Sequence, residues 1–392
     1  MNLAALVGRV LRATLVVALA LSVCACSNWQ HLETHERWTL YSKPGAELDA
    51  ERFARALEPA FRAVEAKLGA FNSRVRIHAW DSNDEPSGAP QLSTDGGERI
   101  ESIPGIGTAA VRAYHVNGTS TPFSTSGVFL GTSEVGTVVH ELIHARLAES
   151  REKLPLWFEE GLATMWGDGA LYNGEWVIDG FACWPARVLR DESISDEELL
   201  RVMQLTASQD YSARDNILVH FIGWALVFDL ARELPDAGPK AWLAHFRAQV
   251  EPDTLLAETR ARIARSISPE TVATWLQRLA DPNPGVRLAA AKGIWKLRDQ
   301  KALDTLIAAM PAETDKHVRL AIGLNVLIGV GEMRVSRRTG RDLWRKIMPA
   351  LGELEMDNLP EQAALSRLLS GMRGRGGNTQ QGLDGLAHYW EE

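Results

Sequence analysis

The chain has 392 residues, enough for two domains of ordinary size, and 45% of them are hydrophobic, so a folded core is expected. A formal net charge of −8, from 50 acidic and 42 basic residues, disfavours a nucleic-acid-binding role. Three cysteines, two of them close to the N-terminus, are too few for a disulfide framework. Cys183 is therefore expected to be a buried free thiol.

The first segment of the chain is typical of an exported protein. Two arginines precede an apolar run, residues 13–23, which is short for a membrane span and has the character of a signal peptide. The run ends in LSVCAC, which resembles a bacterial lipobox with Cys26 as the lipid-bearing residue. This resemblance implies a signal peptide over residues 1–25, a tether over 26–36, and a lipid anchor in a bacterial cell envelope, at the periplasmic or outer-membrane face. An ordinary signal peptide and a secreted protein are the alternative.

The next part of the chain alternates between strand and helix patterns. Apolar residues with a period of two predict strands, and an amphipathic stretch with helical period predicts a helix between the first two strands. The predicted strands are residues 37–42, 74–80, 108–116 and 126–130, and the predicted helix is 48–68.

The motif HELIH at residues 140–144 has the most specific chemistry in the chain. His140 and His144, four residues apart on a helix, share one face and can bind one Zn²⁺. Glu141 is the expected general base for a metal-bound water. An accidental match on a surface helix is the alternative. The apolar neighbours argue against it, because they predict a buried helix, where unpaired imidazoles would be costly.

A catalytic zinc site usually has three protein ligands, so a third ligand is needed. Residues 154–163, LPLWFEEGLA, begin a second helix with adjacent glutamates, of which only one can face the metal. HELIH followed by WFEEGLA resembles the glutamate zincins (gluzincins, peptidase MA-like), a zinc metallopeptidase superfamily with a W-x-x-E-G-x-A helix. The resemblance covers about residues 38–230 and implies one zinc per chain with Glu160 as the third ligand. Glu159 is the alternative.

Gluzincins also supply side chains around the ligands. Some carry an acidic residue four positions after the ligand glutamate that can orient a ligand histidine, but this chain has Thr164 there, so the orienting partner of the histidines is not identified. A Tyr or His from a later helix often stabilises the tetrahedral oxyanion. The resemblance implies Tyr211 for this role, with Tyr172 and His220 as weaker alternatives. A half-buried aromatic residue at a helix start is the other interpretation of Tyr211.

The C-terminal third contains an internal repeat. The tetrapeptide VRLA at residues 286–289 recurs at 318–321, after 32 residues, and a Pro-containing turn precedes the first copy. This pattern resembles HEAT-type repeats, which are stacked pairs of helices. The resemblance implies a helical array over residues 267–369 that is either a binding surface for a protein partner or a structural cap. Residues 370–392 are predicted to be a flexible tail.

These features together predict an α+β fold with two parts. A gluzincin-like zinc metallopeptidase domain over residues 37–265, with an N-terminal mixed sheet and a helical subdomain that carries the zinc site, precedes the all-α HEAT-like array. The predicted activity is hydrolysis of a peptide or protein substrate through a metal-activated water, with Glu141 as base. The alternative is a non-catalytic, zinc-stabilised envelope scaffold that binds a protein partner through the array. Four protein ligands on the metal would favour the scaffold, and an open position would favour catalysis.

Overall fold

The computed structural model describes residues 29–42, 48–79, 113–116, 127–130, 134–150, 153–206 and 212–332. Within these ranges the protein is mostly helical and has a small mixed sheet, in agreement with the α+β prediction. Contacts divide the chain into two compact units, Met1–Leu154 with Ser208–Ala213 and Pro155–Ala207 with Arg214–Glu392. No helix within the described ranges combines the length and apolar character needed to cross a membrane.

The first unit is built on a mixed sheet. Its described strands are β1 Gln30–Thr34, β2 Trp38–Ser42, β3 Val75–Ala79, β4 Ala113–Val116 and β5 Gly127–Leu130, in the order β1-β2-β3-β5-β4. Strands β2, β3 and β5 are parallel, whereas the edge strands β1 and β4 are antiparallel to their neighbours. The four strands after β1 fall within the predicted ranges. Strand β1 lies in the segment that the sequence assigns to the tether, because QHLET has no apolar alternation and joins the sheet through its backbone pairing with β2.

Helix α1, Ala50–Leu68, connects the parallel strands β2 and β3. The Asp49 side chain caps its N-terminus by accepting a hydrogen bond of 2.9 Å from the Arg52 N–H. The helix ends at Gly69, whose φ of 80° is a left-handed conformation that favours glycine. Its buried side chains recur at helical spacing and include Phe53, Leu57, Phe61 and Val64.

Helix α2, Val135–Glu149, contains the HELIH motif and packs against α1, β4 and β5. Its apolar residues surround much of the helix, so that α2 is buried on several sides, as the sequence predicts. The C-terminal end of α2 is tied to the segment that follows α1. Arg146 Nε donates to the Gly69 carbonyl oxygen at 3.0 Å, and Glu149 accepts from the backbone N–H of Asn72 at 2.8 Å. These bonds hold the axis of α2 in place within the first unit.

The second unit contains α3 Leu156–Gly167, the hairpin β6 Gly169–Tyr172 and β7 Glu175–Ile178, α4 Cys183–Asp191, α5 Asp196–Gln204, α6 Ala213–Glu233, α7 Pro239–Gln249, α8 Leu255–Ser266, α9 Pro269–Leu276, α10 Pro284–Gly293, α11 Gln300–Ala309 and α12 Lys316–Glu332. Short 3₁₀ turns lie at Pro252–Thr254, Gln277–Ala280, Ile294–Leu297 and Met310–Ala312. The long helix α6 is the core of this unit, because nearly all its apolar side chains are buried. Cys183 is a buried free thiol, as predicted.

The C-terminal helices repeat the same turn chemistry after 32 residues. Arg287 Nη1 donates to the carbonyl oxygens of the residues six and five positions earlier, at 2.8 and 3.2 Å. Arg319 repeats this pattern, with bonds of 3.2 and 3.5 Å to the equivalent carbonyls. Asn283 and Asp315, also 32 residues apart, both accept from backbone N–H groups at the starts of α10 and α12. The repeated VRLA tetrapeptide therefore marks a repeated structure.

These repeats pack directly onto the rest of the second unit. The hairpin β6–β7 contacts α10, and the indole N–H of Trp275 donates to the Asp179 carboxylate at 2.9 Å. Arg278 Nη1 also binds the Asp179 carboxylate, at 2.6 Å. Burial, followed by the negative charge of Asp168, raises the pKa of Asp179 to about 7. The repeats and the helix α3 therefore belong to one compact unit.

Candidate metal site

The two histidines of the HELIH motif lie on one face of α2. Thr137, His140 and His144 are half-buried and follow the helical spacing, whereas the flanking apolar side chains are buried in the first unit. The Nε2 atoms of His140 and His144 point toward each other and are 3.3 Å apart. Two nitrogen ligands at 2.0–2.1 Å from a tetrahedral zinc would be separated by about 3.3–3.4 Å. The imidazole pair therefore has the spacing of two ligands of one zinc ion.

Glu141 lies between these histidines in sequence and is largely buried. Its exposed fraction is 7%, which is low for a carboxylate. A buried carboxylate next to two candidate metal ligands is a suitable acceptor for a proton, because few water molecules compete for its oxygens. The helix α2 thus offers both a candidate metal-binding face and a candidate base.

Glu160 lies on α3 in the second unit, in the second turn of the helix. Its side chain is 12% exposed, and its Oε2 atom is 2.9 Å from Nε2 of His220 on α6. The preceding residue, Glu159, is also half-buried, but it projects from a different part of the helix surface. Pro155 precedes α3 with an extended backbone, which accounts for the helix start. A bend at this proline and the pairing with His220 fix where the Glu160 carboxylate lies within its unit.

Helices α3 and α6 approach each other closely beside this pair. A Cβ atom at Gly161 would collide with the carbonyl oxygen of Gly223, and a Cβ at Gly223 would collide with the carbonyl oxygen of Trp157. Each glycine is needed because the two backbones are in contact at this point. Gly161 directly follows Glu160, and Gly223 follows His220 by one helical turn. The glycine contact therefore brings the carboxylate and the imidazole together.

The remaining residues that the sequence analysis considers for the site, or that lie close to it in sequence, differ in their contacts. Tyr211 and Cys26 lie outside the described residues. The Tyr172 hydroxyl donates to Asp315 Oδ2 at 2.7 Å, and this bond raises the pKa of Tyr172. The Thr164 hydroxyl, one turn after Glu160, is buried and has no hydrogen-bond partner among the described residues. Asp168 ends α3, and its carbonyl oxygen accepts from the Asp179 N–H at 3.0 Å.

The sequence identifies His220 only as a weaker candidate for an oxyanion donor and does not predict its contact with Glu160. A signal for this contact is nevertheless present. Helices α3 and α6 each contain a glycine close in sequence to Glu160 or His220, and a glycine inside a helix indicates a packing reason. The sequence alone does not show that the two glycines face each other, because this depends on the packing of α3 against α6.

A family comparison identifies the C-terminal repeats. The family model for HEAT repeats matches residues 256–325, which extend from α8 into α12. This match confirms the HEAT-like repeats and extends them to a point before the predicted start at residue 267. HEAT repeats generally mediate protein interactions, so a protein partner is consistent with this part of the chain. No curated protein matches the chain.

Proposed function

We propose that this protein is a zinc-dependent peptidase of the gluzincin type. His140, His144 and Glu160 each offer one metal-ligand atom, and we propose that the three bind one zinc ion. The observation that carries the proposal is the 3.3 Å spacing of the two Nε2 atoms on α2, with the buried Glu141 beside them. The order of the elements adds support, because only residues 150–155 separate the HELIH helix from the helix that contains Glu160.

The residues of the chain have distinct proposed roles in hydrolysis. A bound zinc ion acts as a Lewis acid toward water and toward the substrate carbonyl group. Glu141 accepts a proton from the attacking water and delivers it to the amine that leaves, so that one water molecule is consumed for each peptide bond. Tyr211, which precedes α6, is the proposed hydrogen-bond donor to the tetrahedral oxyanion.

A peptide-library assay with three variants tests this proposal. Glu141→Gln should keep zinc and lose cleavage, because an amide is nearly isosteric with the carboxylate but cannot accept the proton. Glu160→Gln should weaken zinc binding, whereas Glu159→Gln, which removes the same charge one position earlier, should bind zinc normally. Full cleavage by Glu141→Gln would refute the proposed role of this residue.

The match to HEAT repeats favours a second candidate function. In this alternative the protein is a scaffold that binds a protein partner through the repeats and keeps the zinc only for stability. A structural zinc is usually held by four protein ligands, whereas a catalytic zinc has three and an open position. A buried carboxylate at Glu141 favours catalysis, since a structural site needs no base. Zinc binding without cleavage of any library peptide would favour the scaffold over the peptidase.

We also propose that the protein is exported and anchored to the cell envelope by a lipid on Cys26. The apolar run and the lipobox-like sequence before this residue support the proposal. Mass spectrometry of the mature N-terminus tests it directly. A diacylglyceryl modification on Cys26 would support the anchor, and an unmodified N-terminus created by cleavage elsewhere would support secretion.

A further inference from the structure

We infer that His220 is a positioning residue that orients the Glu160 carboxylate for metal binding. This inference rests on the proposed zinc site, and it assigns a hydrogen-bond partner to the proposed carboxylate ligand. The observation behind it is the 2.9 Å contact between Nε2 of His220 and Oε2 of Glu160.

The imidazole of His220 is held at both nitrogens. Its Nδ1 atom is 2.6 Å from the backbone carbonyl oxygen of Asn216, one turn earlier on α6. A carbonyl oxygen can only accept, so Nδ1 donates this bond and the ring plane is fixed by the helix backbone. The opposite nitrogen, Nε2, faces Glu160. When the ring is protonated, Nε2 also carries a hydrogen and donates it to the carboxylate, so that the two side chains form an imidazolium–carboxylate pair. A ring anchored in this way restricts rotation of the carboxylate about its last side-chain bond.

The helix contact makes the pair rigid. Gly161 and Gly223 bring the backbones of α3 and α6 together next to the pair, and most apolar side chains of α6 are buried. Neither helix can shift by much without a collision or the loss of packing. Zinc ligands are commonly oriented by such hydrogen bonds, and loss of one typically weakens metal binding by about 10–100-fold. The orienting partner here serves the carboxylate ligand.

A second histidine–glutamate pair in the same unit provides a matched control. Nε2 of His245 is 2.9 Å from Oε1 of Glu233, and the His245 side chain is 28% exposed, compared with 27% for His220. Glu233 is not a proposed ligand. Loss of the His245 pair should therefore change surface electrostatics in a similar way without changing the zinc site.

The experiment measures zinc affinity by competition with a chromophoric chelator, using the full folded chain after metal removal. His220→Phe should lose about 10–100-fold in affinity, whereas His245→Phe should match the wild type. His220→Gln retains a side-chain donor and should recover most of the affinity. Thermal unfolding of each metal-free variant reports on folding, and His220→Ala replaces His220→Phe if the larger side chain prevents folding.

The outcomes separate this inference from the proposed function. Wild-type affinity in His220→Phe, or equal losses in His220→Phe and His220→Gln, would overturn the positioning role alone. Wild-type protein that binds no zinc would overturn both the site and the inference. Wild-type protein that binds zinc without cleaving peptides would remove the peptidase proposal, while the pattern of affinities would still decide the role of His220.

Discussion

Replacement of Gly161 by alanine should destabilise the protein, although alanine is the better helix former. Inside a helix, a change from glycine to alanine stabilises by about 1 kcal/mol from conformational propensity alone. At Gly161 the new Cβ would collide with the backbone carbonyl of Gly223 and would lie 2.8 Å from Val227 Cγ2. Overpacking of this kind typically costs about 1–3 kcal/mol and can cost more against backbone atoms, which cannot rotate away. Subtracting the propensity gain leaves a net loss of up to about 2 kcal/mol, and the contact with backbone atoms favours the upper end of this range.

The same substitution should weaken zinc binding. To restore normal van der Waals separation, α3 and α6 would have to move apart by about 1 Å at this point. The contact of 2.9 Å between Glu160 and His220 would then exceed the hydrogen-bond limit. Stability and metal affinity should therefore fall together, because one helix contact supports both.

Urea unfolding of the metal-free protein measures the first effect, and chelator competition measures the second. Gly238→Ala is a suitable control, since Gly238 lies at the start of α7 and a Cβ atom added there would meet nothing within 4 Å. This control should cost less than about 1 kcal/mol, through a poorer helix cap, and leave zinc affinity unchanged. An increase in the unfolding free energy of Gly161→Ala, the result that propensity alone predicts, would refute the proposed helix contact.

Two further predictions concern the repeats and their contact with the hairpin. Folding raises the pKa of Asp179 from 3.8 to about 7, so the unfolding free energy of the wild type should decrease as the pH rises from about 4 to 7, by up to about 4 kcal/mol. Urea unfolding at a series of pH values should show a smaller decrease for Asp179→Asn. Arg287 forms two bonds of 2.8 Å to Glu313, which is 4% exposed, so Arg287→Ala should cost about 3–5 kcal/mol. Arg319 binds carbonyl groups among the described residues, so Arg319→Ala should cost about 1 kcal/mol in the same assay, and equal losses would contradict the role of the ion pair.

Local patterns predict much of the first unit. Strand β2, helix α1 and strand β3 agree with the predicted ranges to within two residues, because their apolar side chains alternate or recur with the period of the element. The apolar run at residues 217–230 lies inside the long helix α6, which extends from Ala213 to Glu233. The first and last turns of α6 contain polar residues, so the apolar pattern does not extend to the ends of the helix. Periodicity identifies buried faces, and it is less informative about ends that face water.

The contacts that the sequence does not predict are those between distant elements. The strand β1 depends on backbone pairing with β2, and its side chains carry no strand pattern. His220 appears in an apolar helix as an ordinary core histidine, and its contact with Glu160 requires the crossing of α3 and α6. The repeat chemistry shows the same limit, because Asp281 and Glu313 occupy equivalent turn positions but only Glu313 also binds Arg287 through its side chain. Residues with similar local sequence therefore make different contacts, because the contacts depend on which elements pack together in the fold.

The most direct test of the account is a zinc titration of the metal-stripped protein with peptide cleavage followed in the same sample. We expect no cleavage before zinc is added, a rise in rate with zinc, and a plateau at one zinc per chain. His144→Ala should remove the high-affinity rise, because it removes one of the two imidazoles on α2. Cleavage that persists after metal removal, or zinc bound at one per chain with no cleavage at any point of the titration, would contradict the proposal of a zinc-dependent peptidase.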